Sequence, residues 1–382
     1  MAAFISAAIL AAIWFALGTN LVLIDEVFIA DSPAESRRKR KRKERLDSQF
    51  KRNVRPTFGP PEISLQPIPV LDRILADPNR NYMQKICHLY AWQFFALAER
   101  LKPLIERPRI RPDGTRPIKT GPSCRHDYLH RLFFTLSWLN SGNYYRTTES
   151  EVGWGKSSLQ EDNKHILIAI MEGLEDQVAW PNAFRRAELA LVHDGIFRGM
   201  VGIFDIKEHE CRKYKNNEKE RMSYSAKKKI NSWKNLSVMD YTGRFIYVHC
   251  ALAKNDRDMF TSTPLYMNAG EYFTPGEWMA SDGGFEGDGP IRFSYKNPGA
   301  NEEKKTYNLA FKEVRAGIET AFARVCTWFP LLGNNKQKWN HGDDILQFAV
   351  HASARLHNFI MNTENLSYAA ATSAENIFKS YY

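Results

Sequence analysis

The chain has 382 residues, 43% of them hydrophobic and 13% aromatic, with a net charge of +10. This length and composition exclude a single small module and a largely disordered chain, and leave room for roughly two or three domains. The charge is concentrated: residues 37–45, RRKRKRKER, hold eight basic residues against one acid, so any polyanion-binding surface on the folded part must be a local patch.

Residues 1–24, MAAFISAAILAAIWFALGTNLVLI, carry no charge and are long enough to span a bilayer. A membrane anchor, a buried N-terminal helix and a mis-started gene model all fit this segment. Residues 25–66 are basic and proline-containing and read as a linker, whose basic run suits nuclear import or nucleic-acid contact.

Residues 67–190 read as a helical region. Apolar spacing predicts helices from about 69 to 106, ended by the proline-rich stretch 107–123. Arg109 and Arg111 in that stretch suit a DNA phosphate backbone, or equally an exposed interdomain loop. A helix from His126 to Asn140 should stop at Ser141-Gly142. Cys124, His126 and His130 offer a metal-binding face with no fourth ligand apparent, against ordinary packing roles. A short helix near Thr148–Val152, the turn Gly153-Trp154-Gly155 and a helix from Ser157 make a helix-turn-helix-like segment over about 144–172. That geometry would aim Lys156, Ser157 and Ser158 at a major groove; a plain helix pair joined by glycine is the alternative.

After Pro181 the texture changes to strands, and a core is expected over 195–330. GMVGIFD (199–205) is an apolar run ending in Asp205. WKNLSVMD and RFIYVHCALA flank Asp240-Tyr241-Thr242-Gly243, a hairpin connection. A helix is expected at about 257–268, then the strand EWMAS before Asp282. An amphipathic helix over 306–329 carries Val314, Ile318, Phe322 and Val325 on one face, with Glu319 beside them. Residues 331–382 complete the chain as a helical segment and tail.

This order is that of a ribonuclease H-like α/β fold, a mixed sheet with flanking helices, here preceded by an all-α region. In it Asp205, Asp282 and Glu319 approach one another. Three carboxylates repel unless a cation joins them. Hard oxygen donors suit Mg²⁺ or Mn²⁺, and a pair of such ions suits phosphodiester cleavage. Each acid also has a plainer reading. Asp282 precedes two glycines and suits a turn, Glu319 lies four residues after Arg315 and suits a helix ion pair, and Asp256 suits a helix cap. Glu286 and Asp288 read as part of an exposed turn. Lys227, Lys228 and Lys229 suit DNA contact near the acids, or a solvated hairpin edge.

Six motifs then occur in order over about 125–360: VGIFD, YSAKKKINSWKNLSV, NDRDMFTSTPLY, MASDGGF, YNLAFKEVRAGIETAF and HASARLHNFI. Through them the chain resembles the DDE transposases of the PIF/Harbinger class, to which the animal Harbinger-derived nuclease-like proteins belong. Asp205, Asp256, Asp282 and Glu319 succeed one another at intervals of 51, 26 and 37 residues. The resemblance implies a metal-dependent DNA endonuclease or transposase in which these four acids bind Mg²⁺ or Mn²⁺. Asp205, Asp282 and Glu319 would be the catalytic set and Asp256 an accessory ligand. Asp194 in VHDG resembles the family's Asp-Gly dipeptide, but the apolar strand and the spacing select Asp205. The resemblance also implies DNA as substrate, a separate Myb/SANT-like partner and a nuclear location, and a homo-oligomer is left open. Two departures stand out: Ile206-Lys207 come after Asp205 where the family usually carries Gly-Thr, and Lys254-Asn255 replace Gly-Ser before Asp256. The alternatives are a domesticated, non-catalytic DNA-binding protein and a membrane-tethered derivative using residues 1–24.

Overall fold

The computed structural model describes residues 81–107, 127–142, 156–192, 195–225, 228–285, 289–333, 339 and 342–364, all within the unit Ile68–Tyr382. Several expectations fall outside the described residues: those on residues 1–66, Arg109, Arg111, Cys124, His126, Asp194, Lys227, Glu286 and Asp288, and the first helix and turn of the helix-turn-helix-like segment. Among the described residues no helix is long and apolar enough to cross a membrane.

Among the described residues five α-helices precede the sheet: α1 (Asn81–Cys87), α2 (Ala91–Ile105), α3 (Tyr128–Ser141), α4 (Lys156–Gly173) and α5 (Ala183–Val192). The α3 boundaries arise from local chemistry. Asp127 accepts a hydrogen bond from the His130 N–H at the start, and Gly142 at φ 63° ends the helix as expected, its N–H on the Trp138 carbonyl. Phe94, Leu97 and Leu101 of α2, Leu132, Phe133 and Leu136 of α3, and Ile166 and Ile170 of α4 meet in one buried cluster. Their three- and four-residue steps are those of helices that bury one face.

The sheet contains β1 (Met200–Cys211), β2 (Tyr224–Ser225), β3 (Ile230–Met239), β4 (Phe245–Ala251), β5 (Trp278–Ala280) and β6 (Ile291–Arg292), with α6 (Asn217–Ser223) leading into β2. Its order is β2-β3-β1-β5-β6, with β4 also pairing on β3. Strands β1, β3 and β4 are antiparallel neighbours, while β5 lies parallel to β1 and β6 parallel to β5. This mixed sheet with flanking helices is consistent with a ribonuclease H-like fold.

Three local expectations are corrected. Strand β1 does not end at Asp205 but continues six residues to Cys211, because its polar second half still pairs with β3 down to Cys211 opposite Asn231. The single helix expected near 257–268 is three short pieces, α7 (Asp256–Thr261), α8 (Pro264–Met267) and α9 (Ala269–Tyr272), with Pro264 starting a new turn. The cap of α7 is Asn255, whose side chain accepts from the Asp258 N–H at 2.8 Å, and not Asp256. The two-residue strand β6 has no counterpart among the expected elements.

The hairpin at Asp240 is as expected: its Oδ1 accepts from the N–H groups of Thr242 and Arg244, and Gly243 takes φ 86°. The long helix α10 (Glu302–Trp328) buries Phe311, Ile318, Phe322 and Val325 on one sheet face, with Val314 half-buried. Gly317 lies at this contact, where a Cβ would stand 3.0 Å from the flexible end of Met239, its Cε. Phe204, Met259, Phe260 and Phe285 pack on the other face. The last helix among the described residues, α11 (Asp343–Glu364), lies against α4 and β4. Its Asn358 amide accepts from the Phe245 N–H and donates to the Phe245 carbonyl, so it pairs with the backbone of β4 as a neighbouring strand would.

Candidate active site

The period-two geometry of a strand sends Asp205 and Glu208 of β1 to opposite sheet faces. Asp205 points toward α10. Its Oδ1 accepts from the Ile206 N–H at 2.7 Å, and its Oδ2 lies 3.9 Å from an Arg315 guanidinium nitrogen. The same nitrogen is 3.4 Å from Glu319 Oε1. Burial raises the Asp205 carboxyl above its ordinary range; the Ile206 N–H and Arg315 pull it down, while the charges of Asp282 and Glu319 push it up. Asp282 and Glu319 therefore lie within electrostatic range of Asp205.

Asp282 is held at that place by the turn at Gly283-Gly284. Its Oδ1 accepts from the Gly284 N–H at 3.0 Å, so it is a turn residue as well as a neighbour of Asp205. The turn is pinned by buried Phe285, whose ring is 4.8 Å from that of Phe204 and 5.8 Å from that of Phe260. Phe204 immediately precedes Asp205, so one aromatic contact ties together the two segments that carry the acids.

Asp256 has a different partner. Lys234 Nζ lies 2.8 Å from Asp256 Oδ1 and 2.8 Å from Glu208 Oε1. Lys228 adds a contact to Glu208 Oε2 at 2.7 Å. Burial alone would raise the Glu208 carboxyl, but the hydrogen bonds from Lys228 and Lys234 outweigh it and hold it below the ordinary range. Burial likewise disfavours the Lys234 ammonium, and its two acid partners more than compensate. Sequence reasoning missed Glu208 and Lys234. The available signal was a lysine inside WKNLSV, since a charge on an otherwise apolar strand needs a buried partner.

Of the residues expected to touch DNA, Ser157 is exposed on the first turn of α4, which Lys156 and Ser158 share. Lys229 is exposed with φ 57°. Lys228 lines an open pocket of about 970 Å³ that Asp205, Asp256 and Asp282 also line. Arg221, Lys234 and Lys254 add basic groups to its wall, and half-exposed Met222 and Tyr224 lie beside them. Arg221 and Lys254 have no ion pair among the described residues.

Among the described residues no three His, Cys, Asp or Glu side chains converge closely enough to hold a metal ion as they stand. The donors are nonetheless of the right kind: the carboxylates of Asp205 and Asp282 line one pocket, and Glu319 shares the Arg315 guanidinium with Asp205.

Residues 204–358 match a family model described as DDE superfamily endonuclease. The matched span begins one residue before Asp205 and includes Asp256, Asp282 and Glu319. The match points to a transposase-like nuclease acting on DNA, in a superfamily whose members generally use divalent metals. Searches among curated proteins and among solved structures gave no match.

Proposed function

We propose that the chain is a metal-dependent DNA endonuclease of the PIF/Harbinger transposase type, which hydrolyses and then transfers DNA phosphodiesters at Asp205, Asp282 and Glu319. The observation that carries this reading is that Asp205 and Asp282 line one pocket and Asp205 and Glu319 share the Arg315 guanidinium at 3.9 and 3.4 Å, inside the segment that matches DDE endonucleases. Asp205, Asp282 and Glu319 would hold Mg²⁺ or Mn²⁺. When bound, such ions supply Lewis acidity that activates water and stabilises a leaving 3′-oxygen.

The chain's own groups have separable tasks. Asp205 is fixed by β1, with its Oδ2 left toward α10. Asp282, with Oδ1 on the Gly284 N–H, offers its second oxygen. Glu319 stands on α10 and completes the set. Asp256, tied to Lys234, shapes the pocket wall. Arg221, Lys228 and Lys254 along that wall suit the phosphates of a DNA strand, and neutralising phosphates makes binding weaken as salt rises. A Myb/SANT-like partner and a nuclear location belong to the same reading.

The test is nicking of supercoiled plasmid by the full-length protein in Mg²⁺ or Mn²⁺, with Asp282→Ala as control. Nicking that disappears in the control supports the nuclease. No nicking above the control removes it and leaves a non-catalytic DNA-binding protein.

A further inference from the structure

We infer that Arg315 is a built-in counter-cation of the acid cluster, which compensates Asp205 and Glu319 in the metal-free protein and is displaced when a divalent cation enters. The inference rests on the proposed acid site. Its starting point is a contrast among three arginines. Arg131 is clamped by Asp162 through Nε at 2.9 Å and Nη2 at 2.7 Å, with Nη1 on the Ile105 carbonyl at 2.8 Å. Arg186 is clamped in the same way by Glu277, the Pro181 carbonyl and Thr274. Both are fixed structural groups.

Arg315 is held differently. Its Nη2 stands 3.4 Å from Glu319 and 3.9 Å from Asp205, and its Nε is buried with no hydrogen-bond partner among the described residues. Charge-assisted hydrogen bonds close to about 2.7–2.9 Å when geometry permits. The guanidinium therefore lies between two carboxylates, with one long hydrogen bond to Glu319 Oε1 and none to Asp205. It also keeps its charge at any ordinary pH. Asp205 and Glu319 thus face one another across this cation. A divalent ion brings more charge to a smaller volume and draws hard oxygens closer than a guanidinium can. Its entry costs the contacts of Arg315, so Arg315 sets the concentration of metal at which the site fills.

Calorimetric titration of the full-length protein with Mn²⁺, together with melting in EDTA and in Mn²⁺, tests this. Arg315→Gln should bind Mn²⁺ about tenfold more tightly, melt lower in EDTA, and gain more from Mn²⁺ than the wild type does. Arg315→Lys, which keeps the charge, should retain near wild-type affinity. A wild-type Mn²⁺ affinity in Arg315→Gln, or an equal loss of melting temperature with and without Mn²⁺, overturns the idea and leaves a simple helix ion pair. Should that variant not fold, the Arg315 Nε–H resonance of the wild type decides: it should shift on adding Mg²⁺, and a stationary signal overturns the inference. Asp282→Asn separates the two layers. If it leaves Mn²⁺ binding intact, the acid-site reading falls; if it abolishes binding while Arg315→Gln changes nothing, only the role of Arg315 falls.

Discussion

Lys234 Nζ lies 2.8 Å from Asp256 Oδ1 and 2.8 Å from Glu208 Oε1, so one buried ammonium joins β1, β3 and the start of α7. The lysine side chain is 4% exposed and that of Glu208 9%. Removing a partner from such a pair strands a charge away from water. Lys234→Met should therefore destabilise the protein by about 3 kcal/mol, at the low end because Lys228 still reaches Glu208. Adding Glu208→Gln should restore at least ~1 kcal/mol of the loss. Urea unfolding of the single and double variants reads both numbers, and a double variant no better than Lys234→Met would show that the charges are not coupled.

Acid should unfold the protein before its carboxylates are generally protonated. Burial pushes His209 down to about 3 and His357 down to about 4, from an ordinary 6.5. For a depressed histidine the unfolded chain takes up a proton that the folded chain refuses. Stability is therefore intact above pH 6.5 and falls as pH drops toward the folded values. Two such groups give a slope approaching ~2.7 kcal/mol per pH unit. Glu208, also depressed, adds a loss below its ordinary 4.5. Unfolding midpoints in urea between pH 7 and 5 should fall steadily, and a flat profile would contradict the assignment.

Phe285 links the Asp282 turn to the strand that carries Asp205. It is 3% exposed and packs on Phe204 and Phe260. Phe285→Ala should cost roughly 3–5 kcal/mol of stability through the cavity it leaves. It should also lower plasmid nicking under conditions where the protein remains folded, because the turn that positions Asp282 loses its anchor. Nicking per folded molecule at the wild-type level would show that the turn holds itself.

Two glycines should respond oppositely to alanine. Gly199 has φ 88°, and a Cβ there would meet the Gly276 carbonyl oxygen at 2.3 Å. Strain and backbone overlap together should cost more than about 2 kcal/mol. Gly317→Ala meets only the flexible end of Met239 and gains up to ~1 kcal/mol of helix propensity. Melting temperatures should fall sharply for the first and stay level or rise for the second; similar changes in both would refute the distinction.

Some of these features were legible in the amino-acid order. The 306–329 periodicity marked α10, and Ser141-Gly142 marked the end of α3. Asp240–Gly243 announced the hairpin, because turn chemistry and helical period act over a few residues. The second half of β1 was not legible: its polar residues owe their strand conformation to β3, a partner some twenty or more residues away. The break of the expected 257–268 helix is written in Pro264, whose ring starts a new turn and cannot continue the old one.

For the acids the division is sharper. The sequence by itself determined that Asp205, Asp282 and Glu319 occupy a strand, a strand exit and a helix in ribonuclease H-like order, because each placement comes from local pattern. Only the tertiary structure decided which cations face them. Lys234 on Asp256, and Arg315 between Asp205 and Glu319, depend on strand pleating and on how α10 packs against the sheet. Those are properties of packed elements, since a charge is compensated by whatever lies nearest in space, whatever its distance along the chain.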